Sequence, residues 1–227
     1  MKILFISDIH GIKTNLPKIK ERFKELECDK LVVLGDLYYI GPRNTMIDGY
    51  DINYVKGFLE SFKDKLICIK GNCDSEVDKM VSNFPIVSEL GLISTINEDL
   101  YLTHGHIYNE SNWNKTNSYL IYGHLHIPFI KESETNTYIN PGSISLPKSD
   151  VGPTYLYYNE EDFIIYDIND NIIFKKNNKN VKKTVKKVQK EPFFDYNSVS
   201  RQIKLAKIKL LCYNIATFSE GGKLWKS

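Results

Sequence analysis

The first third of the chain alternates continuous apolar runs with amphipathic stretches. Residues 2–6, 31–34 and 66–69 are predicted to be buried strands, because each run is apolar on both faces of an extended chain. Between them, apolar residues recur at helical spacing over residues 14–27 and 52–62, and Asn15 followed by Pro17 is typical of a helix start. The predicted order is β-α-β-α-β, an α/β arrangement.

The second half of the chain has a different pattern. Short strand-like runs are separated by turns, with little helix between them, so we expect these strands to pair antiparallel. Together the two halves predict a mixed α/β and α+β fold. The runs lie at residues 86–95, 100–103, 119–122, 138–139, 154–158, 163–168 and 172–174.

Polar side chains follow many of these strands. The chain has five histidines, and each follows an apolar run and lies within three residues of a glycine or an aspartate. His124 and His126 are two residues apart, so in an extended segment both imidazoles point to the same side and suit a metal ion. A pair of solvated loop histidines is the alternative for this motif alone. Sites in open α/β sheets form at the carboxyl ends of strands. The candidates at such ends are Asp8, His10, Asp36, Asn72, His104, His124 and His126.

This set of side chains has more ligands than one catalytic metal ion needs. Two carboxylates, one amide and four imidazoles suit two ions that share a bridging carboxylate, and ligation without thiolate favours Mn²⁺, Fe or Zn²⁺. Two ions about 3.5–4 Å apart clamp phosphoryl oxygens and activate a water molecule. Their charge also attracts an anionic substrate to an acidic domain. The residues therefore predict a phosphoesterase.

Charge is distributed unevenly along the 227 residues, although the formal net charge is only +2. Residues 1–174 carry 16 Lys and Arg against 25 Asp and Glu, whereas residues 175–227 carry 14 against 3. This change predicts a catalytic domain at 1–174 and a basic C-terminal extension at 175–227, partly disordered or helical. The four cysteines are scattered and no apolar stretch reaches 18 residues, so we expect a cytoplasmic protein without a signal peptide or transmembrane segment.

Five motifs in order give the chain a resemblance to the calcineurin-like metallophosphoesterases. They are Asp8-x-His10, Gly35-Asp36, Gly71-Asn72-x-Asp74, His104-Gly105 and Gly123-His124-x-His126. Residues 41–44, 71–78, 103–106 and 140–143 further resemble the small bacterial phosphodiesterases of the YfcE type. The resemblance covers about residues 1–174. It implies a four-layer α-β-β-α sandwich of two mixed sheets, with a dinuclear metal site at the strand ends.

The resemblance also implies a ligand set for each metal ion. A water or hydroxide activated by both ions would attack phosphorus in line with the leaving alkoxide. Mn²⁺ is the favoured metal, with Zn²⁺, Fe and Ni²⁺ as alternatives. One ion would be held by Asp8, His10, Asp36 and His126, and the other by Asp36, Asn72, His104 and His124, with Asp36 bridging.

Residues next to the ligands have expected roles as well. Arg43 or Asn44 would contact a phosphate oxygen of the substrate, with a purely structural Gly-Pro turn as the alternative. Asp74 would orient Asn72 or His104, because metal ligands generally have partners behind them. These expectations extend the site beyond its ligands.

Three further positions bear on the chemistry. Much of the superfamily has a histidine, a candidate general acid, where this chain has Cys73, as in the YfcE type. A thiol, with a reference pKa of about 8.5, is a different proton donor, so we predict a preference for esters whose leaving group needs little protonation, such as aryl esters. Ile40 stands where YfcE relatives can carry histidine. His106 would lie behind the ligands or on the substrate side, with a plain loop residue as the alternative.

Two other functions stand as alternatives to hydrolysis of a small phosphodiester. Some superfamily members lose ligands and act as scaffolds, a function that predicts a protein purified without metal. The basic extension suggests a nuclease, because lysine clusters bind phosphate, although no array of aromatics with arginine accompanies it. Nucleic acid is thus an alternative partner, and a homo-oligomer is left open.

Overall fold

The structure is a computed structural model that describes residues 1–41, 47–87 and 89–178. Its helices are α1 (Leu16–Glu25), α2 (Ile52–Glu60) and α3 (Glu76–Val81). Its strands are β1 (Ile3–Ile6), β2 (Lys30–Val33), β3 (Leu66–Ile69), β4 (Ile86–Val87), β5 (Leu90–Ser94), β6 (Asp99–Thr103), β7 (Ser118–Tyr122), β8 (Pro128–Glu132), β9 (Asn136–Pro141), β10 (Thr154–Tyr158), β11 (Asp162–Asp167) and β12 (Ile172–Asn177).

The strands form two mixed sheets. The larger sheet has the order β12-β11-β10-β1-β2-β3-β4, in which β1 to β4 are parallel and β10 to β12 are antiparallel. The smaller sheet has the order β5-β6-β7-β9-β8, with β6, β7 and β9 parallel and the two edge strands antiparallel. The predicted fold class, a sandwich of two mixed sheets, is confirmed.

Strand β1 shows why its sequence is apolar without alternation. Leu4 and Ile6 are fully buried in a core that also contains side chains of α1 and α2. Ile3 and Phe5, on the opposite face, are fully buried in a second core with side chains of β6, β7 and β9. A central strand covered on both faces needs apolar residues at every position.

The outer face of the smaller sheet has its own apolar cluster. Leu120, Tyr122 and Tyr138 are buried there, and Trp113 packs against them from the loop between β6 and β7. The Trp113 indole N–H donates a hydrogen bond to Ser118 Oγ at 2.9 Å. A loop with a large aromatic side chain thus contributes to the cover of this face.

The elements predicted in the first third of the chain are confirmed. β1, β2 and β3 lie within one residue of the predicted bounds. Helix α1 follows Asn15 with Pro17 in its first turn, and Asp51 caps α2 by accepting the Tyr54 N–H at 3.0 Å. The short α3 was not predicted, although Ser75 begins a capping box that is visible in the sequence.

The prediction of antiparallel pairing is wrong for the centre of the smaller sheet. β6 pairs with β7, and β7 with β9, in parallel. The crossovers are the loop at residues 104–117 and a segment that includes edge strand β8, so no helix marks them. Residues 86–95 are also not one strand, because β4 belongs to the larger sheet and β5 to the smaller.

Part of the predicted organisation lies beyond the described residues. The predicted boundary near Phe174 falls inside β12, which continues to Asn177 and pairs with β11. The extension from residue 179 onward lies outside the described residues, as do Arg43 and Asn44. In the described ranges, no helix has the length and apolar character needed to cross a membrane.

Candidate metal centre

The candidate ligands gather where five strands end. Asp8 and His10 follow β1, Asp36 follows β2, Asn72 follows β3, His104 follows β6, and His124 and His126 follow β7. The loops after β1 and β2 are joined by backbone hydrogen bonds, from Asp8 N–H to Gly35 O at 3.1 Å and from His10 N–H to Asp36 O at 2.9 Å. These bonds continue the parallel ladder past the strands and bring the side chains together.

Five of these residues have a left-handed backbone. Asp and His adopt this conformation more readily than most other residues, and non-glycine residues held in it cluster at functional sites. His124 and His126 are therefore not in an extended segment. The His126 ring lies 5.2 Å from that of His10, and the His124 ring lies 5.1 Å from that of His104. The φ angles are +57° at Asp8, +50° at His10, +58° at Asp36, +68° at His124 and +61° at His126.

Three buried histidines are held in one orientation. In each, Nδ1 donates a hydrogen bond to a backbone carbonyl, so the other ring nitrogen, Nε2, faces the centre. Metal-binding histidines are typically oriented in this way. The bonds join His10 to Tyr39 O at 2.7 Å, His104 to Leu34 O at 2.7 Å and His126 to Leu146 O at 2.5 Å.

The Nε2 atoms surround one oxygen of Asp8. Oδ1 lies 3.2 Å from Nε2 of His126, 3.9 Å from that of His10 and 4.0 Å from that of His104. It is buried and has no hydrogen-bond partner among the described residues, whereas Oδ2 accepts the His124 N–H at 3.1 Å. A buried carboxylate oxygen without a partner is costly. Because imidazole nitrogens converge on it, the donor set fits a cation.

Asp36 faces both groups of ligands. Its Oδ2 lies 3.6 Å from Nε2 of His10 and 3.4 Å from Nε2 of His104. Its Oδ1 accepts the Cys73 N–H at 2.8 Å, which fixes the orientation of the carboxylate. Asn72 Oδ1 lies 3.0 Å from the same His104 nitrogen. Asp36 therefore has the geometry of a ligand that two ions can share.

Charges within the cluster shift the pKa values of its carboxyls and of one imidazole. Burial opposes ionisation of Asp8 and Asp36, but nearby histidines lower the pKa of both carboxyls. Burial also opposes protonation of His104, yet Asp36, Asp8 and the Leu34 carbonyl raise its pKa to about 9. Both carboxylates are thus charged at neutral pH, and their field attracts cations to the centre.

Asp74 supports the backbone that carries the ligands. Its Oδ2 accepts the N–H groups of Asp36 at 2.9 Å and Gly71 at 2.7 Å, and its Oδ1 accepts the Leu37 N–H at 2.7 Å. The expected partners of Asp74 were the side chains of Asn72 or His104, whereas its bonds go to the backbone. Asp74 thereby ties the loop after β2 to the loop after β3.

Cys73 and His106 lie at the edge of the centre. Burial, followed by the charge of Asp36, raises the pKa of the Cys73 thiol to about 12, and its Sγ accepts a hydrogen bond from Asn72 Nδ2 at 3.3 Å. His106 is exposed, with its ring 5.4 Å from the ring of His104. A thiol with this pKa stays protonated at neutral pH and is a weak proton donor.

A cleft with a volume of about 590 Å³ opens over the centre. Its lining includes Ile40 and Cys73, and the consecutive residues Ser145, Leu146, Pro147 and Lys148 form one wall. The motif at residues 140–143 is visible in the sequence, but the four residues that form this wall were not predicted to belong to the site. Their only sequence signal is their position shortly after the Asn-Pro-Gly-Ser turn.

Comparison with known proteins agrees with this geometry. Residues 1–162 match the calcineurin-like phosphoesterase superfamily domain. The chain is 35% identical over 175 residues to Phosphodiesterase YfcE of Escherichia coli K12, which covers 76% of this chain and 95% of that protein. It is 27% identical over 157 residues to a probable metallophosphoesterase, YsnB, of Bacillus subtilis, which covers 65% of this chain and 78% of that protein.

Solved structures give the same result. The structure of YfcE, described as a phosphoesterase from E. coli, matches with a TM-score of 0.75 and 34% identity, over 78% of this chain and 99% of that chain. An archaeal phosphodiesterase shares the fold, with a TM-score of 0.53 and 20% identity, over 78% of this chain and 100% of that one. The matched region contains every candidate ligand, and the chain belongs to the calcineurin-like phosphoesterase superfamily.

Proposed function

We propose that this chain is a metal-dependent phosphodiesterase that hydrolyses small phosphodiesters with the help of two divalent cations. The observation that carries the proposal is the convergence of three fixed histidine nitrogens on the buried Oδ1 of Asp8, for which the described residues supply no aligned hydrogen bond. The relative YfcE, at 35% identity, is named a phosphodiesterase. The cleft above the centre is large enough for a small diester.

The proposed ligand sets follow the two groups of side chains. One ion is assigned to Asp8, His10, Asp36 and His126, and the other to Asp36, Asn72, His104 and His124. Support comes from Asp8, His10 and His126, whose donor atoms lie within 4.8 Å of one another, and from Asp36, which faces both groups. Ions bound there would neutralise the phosphoryl oxygens and activate the attacking water.

The chain itself contributes orientation more than proton transfer. The carbonyls of Tyr39, Leu34 and Leu146 hold three rings with Nε2 toward the centre. Cys73 stands where a proton donor to the leaving group would be expected, but burial and the charge of Asp36 raise the pKa of its thiol to about 12, which makes it a weak acid. We therefore propose that the best substrates have leaving groups that need little protonation, such as aryl alcohols.

The metal and the surroundings of the site are also proposals. Oxygen and nitrogen ligands favour Mn²⁺, with Zn²⁺, Fe or Ni²⁺ as alternatives. Arg43 and Asn44 are proposed phosphate contacts, and His106 a substrate-side residue. A catalytic domain at 1–174 and a separate basic extension are the proposed division of the chain.

The test is hydrolysis of bis(p-nitrophenyl) phosphate by metal-stripped protein before and after addition of Mn²⁺, with p-nitrophenyl phosphate run alongside. The wild type is compared with Asp36→Asn, which keeps the shape but removes the shared charge. Asp64→Asn is the matched control, because Asp64 is exposed and precedes β3, at the opposite end of that strand from the site.

We expect Mn²⁺ to restore diester hydrolysis in the wild type and in Asp64→Asn but not in Asp36→Asn. Absence of activity with any divalent metal, in a folded protein, would overturn the proposal and favour a scaffold function. Hydrolysis that survives intact in Asp36→Asn would rule out the shared carboxylate.

A further inference from the structure

The cleft wall formed by Ser145, Leu146, Pro147 and Lys148 presents side chains that take no part in the proposed hydrolysis, although the Leu146 carbonyl orients His126. This wall borders the same space as His10, Asp36 and His126. Lys148 is the one cationic side chain among the described residues that line the cleft, and Asp36 is the one carboxylate. The charge of Lys148 can therefore attract a part of the substrate that lies in the cleft outside the metal centre.

The wall is held rigidly to the metal centre. Ser143 Oγ donates to Asp8 O at 2.9 Å and accepts the N–H groups of Ser145 at 3.1 Å and Leu146 at 2.8 Å. His126 donates from Nδ1 to Leu146 O, and its own carbonyl accepts the Lys148 N–H at 3.0 Å. The backbone of Lys148 is thereby fixed next to His126, a proposed metal ligand, so the Lys148 side chain extends from a defined position.

The two polar side chains of the wall point to an anionic ligand. Ser145 lines the cleft, but its Oγ is buried and has no hydrogen-bond partner among the described residues, so rotation of this side chain into the cleft would let the hydroxyl donate to a ligand oxygen. The Lys148 side chain is exposed. Between them, Leu146 and Pro147 provide an apolar surface, and Ile40 adds another to the cleft. An ammonium group on a flexible stem attracts an anion without requiring one geometry.

We propose that Lys148, assisted by Ser145, binds a second anionic group of the substrate. This inference rests on the proposed function. The reacting phosphate belongs at the buried centre, where the ligands are at most 7% exposed at Asp8, His10, Asp36, His104 and His126. Lys148 stands at the exposed mouth, so the group it meets is farther out. The substrate class is then a phosphodiester whose organic part crosses the apolar surface and ends in a carboxylate or a further phosphate.

The test uses two aryl diesters that differ by one charge, 4-nitrophenyl phenyl phosphate and 4-nitrophenyl 4-carboxyphenyl phosphate. Mn²⁺-loaded full-length protein is assayed as the wild type, Lys148→Met and Lys148→Arg. We expect the wild type to have a KM about fivefold lower for the carboxylated ester, the size of a favourable exposed ion pair. Lys148→Met should lose this preference, so that its KM becomes the same for the two esters, and Lys148→Arg should retain it.

The preference should also decrease as salt is raised, because an exposed ion pair is screened. A wild type without the preference, or a Lys148→Met variant that keeps it, would overturn the proposal. So would an equal loss on both esters, since Lys148 would then contact the reacting phosphate. Calorimetric binding of phenylphosphonate and its 4-carboxy derivative repeats the comparison without turnover, so it separates failure of this subsite from failure of the proposed hydrolysis.

Discussion

Replacement of Gly71 by alanine should disable the metal centre through a single methyl group. A Cβ at this position would lie 2.9 Å from Cγ of Asp36 and closer still to Oδ1 and the backbone nitrogen of that residue. Gly71 is not among the glycines with positive φ, so the substitution introduces a clash without backbone strain of its own. The perturbation therefore acts directly on the carboxylate that both ions are proposed to share.

The magnitude follows from the distances. To restore ordinary van der Waals contact, the Asp36 carboxylate must retreat by about 1 Å, and a misplacement of this size costs roughly 100-fold in rate. Forcing a methyl group into a packed site typically costs about 1–3 kcal/mol. For a domain of this size that corresponds to a melting temperature lower by about 5 °C.

The assay combines Mn²⁺ content after dialysis, kcat for bis(p-nitrophenyl) phosphate and the melting temperature of the metal-free protein. Gly57→Ala is the matched control, because nothing lies within 4 Å of its added Cβ on helix α2. That control should keep wild-type activity and gain about 0.5–1 kcal/mol of stability. A Gly71→Ala protein that binds metal and turns over like the wild type would refute the assigned position of Asp36.

Three further predictions concern protonation and support of the site. In metal-free protein the pKa of His104 is raised to about 9, so the protonated imidazole stabilises the fold fully below pH 6.5, and this contribution, on the order of 3 kcal/mol, is lost as the pH rises through 9. Melting curves from pH 6.5 to 10 should show this loss of stability. An equal loss in His104→Gln would contradict the assignment to His104. Cys73→His should lower the ratio of aryl to alkyl ester turnover, because imidazole protonates a poor leaving group better than this thiol, and an unchanged ratio would contradict the role of Cys73. Ser143→Ala removes the hydroxyl between Asp8 and the cleft wall, so urea unfolding should show a loss of about 2 kcal/mol and calorimetry a weaker affinity for Mn²⁺; wild-type values in both would show that the hydroxyl is dispensable.

Much of the fold was predictable where burial leaves a simple pattern. β1 is apolar at every position because both of its faces are covered. The start of α1 is indicated by Asn15 and Pro17. The positions of the ligands were predictable for a different reason, because the residues that follow parallel strands lie at one edge of the sheet. These features depend on residues that are close in sequence, or on the rule that the carboxyl ends of parallel strands meet at one edge of a sheet.

Other features depend on contacts that no local pattern encodes. The parallel pairing of β6 with β7 is reached through a loop without a helix, so the sequence resembles a run of hairpins. The left-handed backbone at His124 and His126 turns their rings toward different partners, whereas an extended segment would align them. Lys148 reaches the site only because a turn and a serine hydroxyl fold its segment against His126.

The measurement that tests the central claim most directly is the number and coupling of metal ions bound at the site. Metal-stripped wild type and Asp36→Asn are titrated with Mn²⁺, and bound metal is quantified together with the electron paramagnetic resonance spectrum. A shared Asp36 predicts two Mn²⁺ per wild-type chain with an exchange-coupled signal, and loss of that coupling in Asp36→Asn. One Mn²⁺ per chain, or two uncoupled ions with the same spectrum in both proteins, would contradict the account.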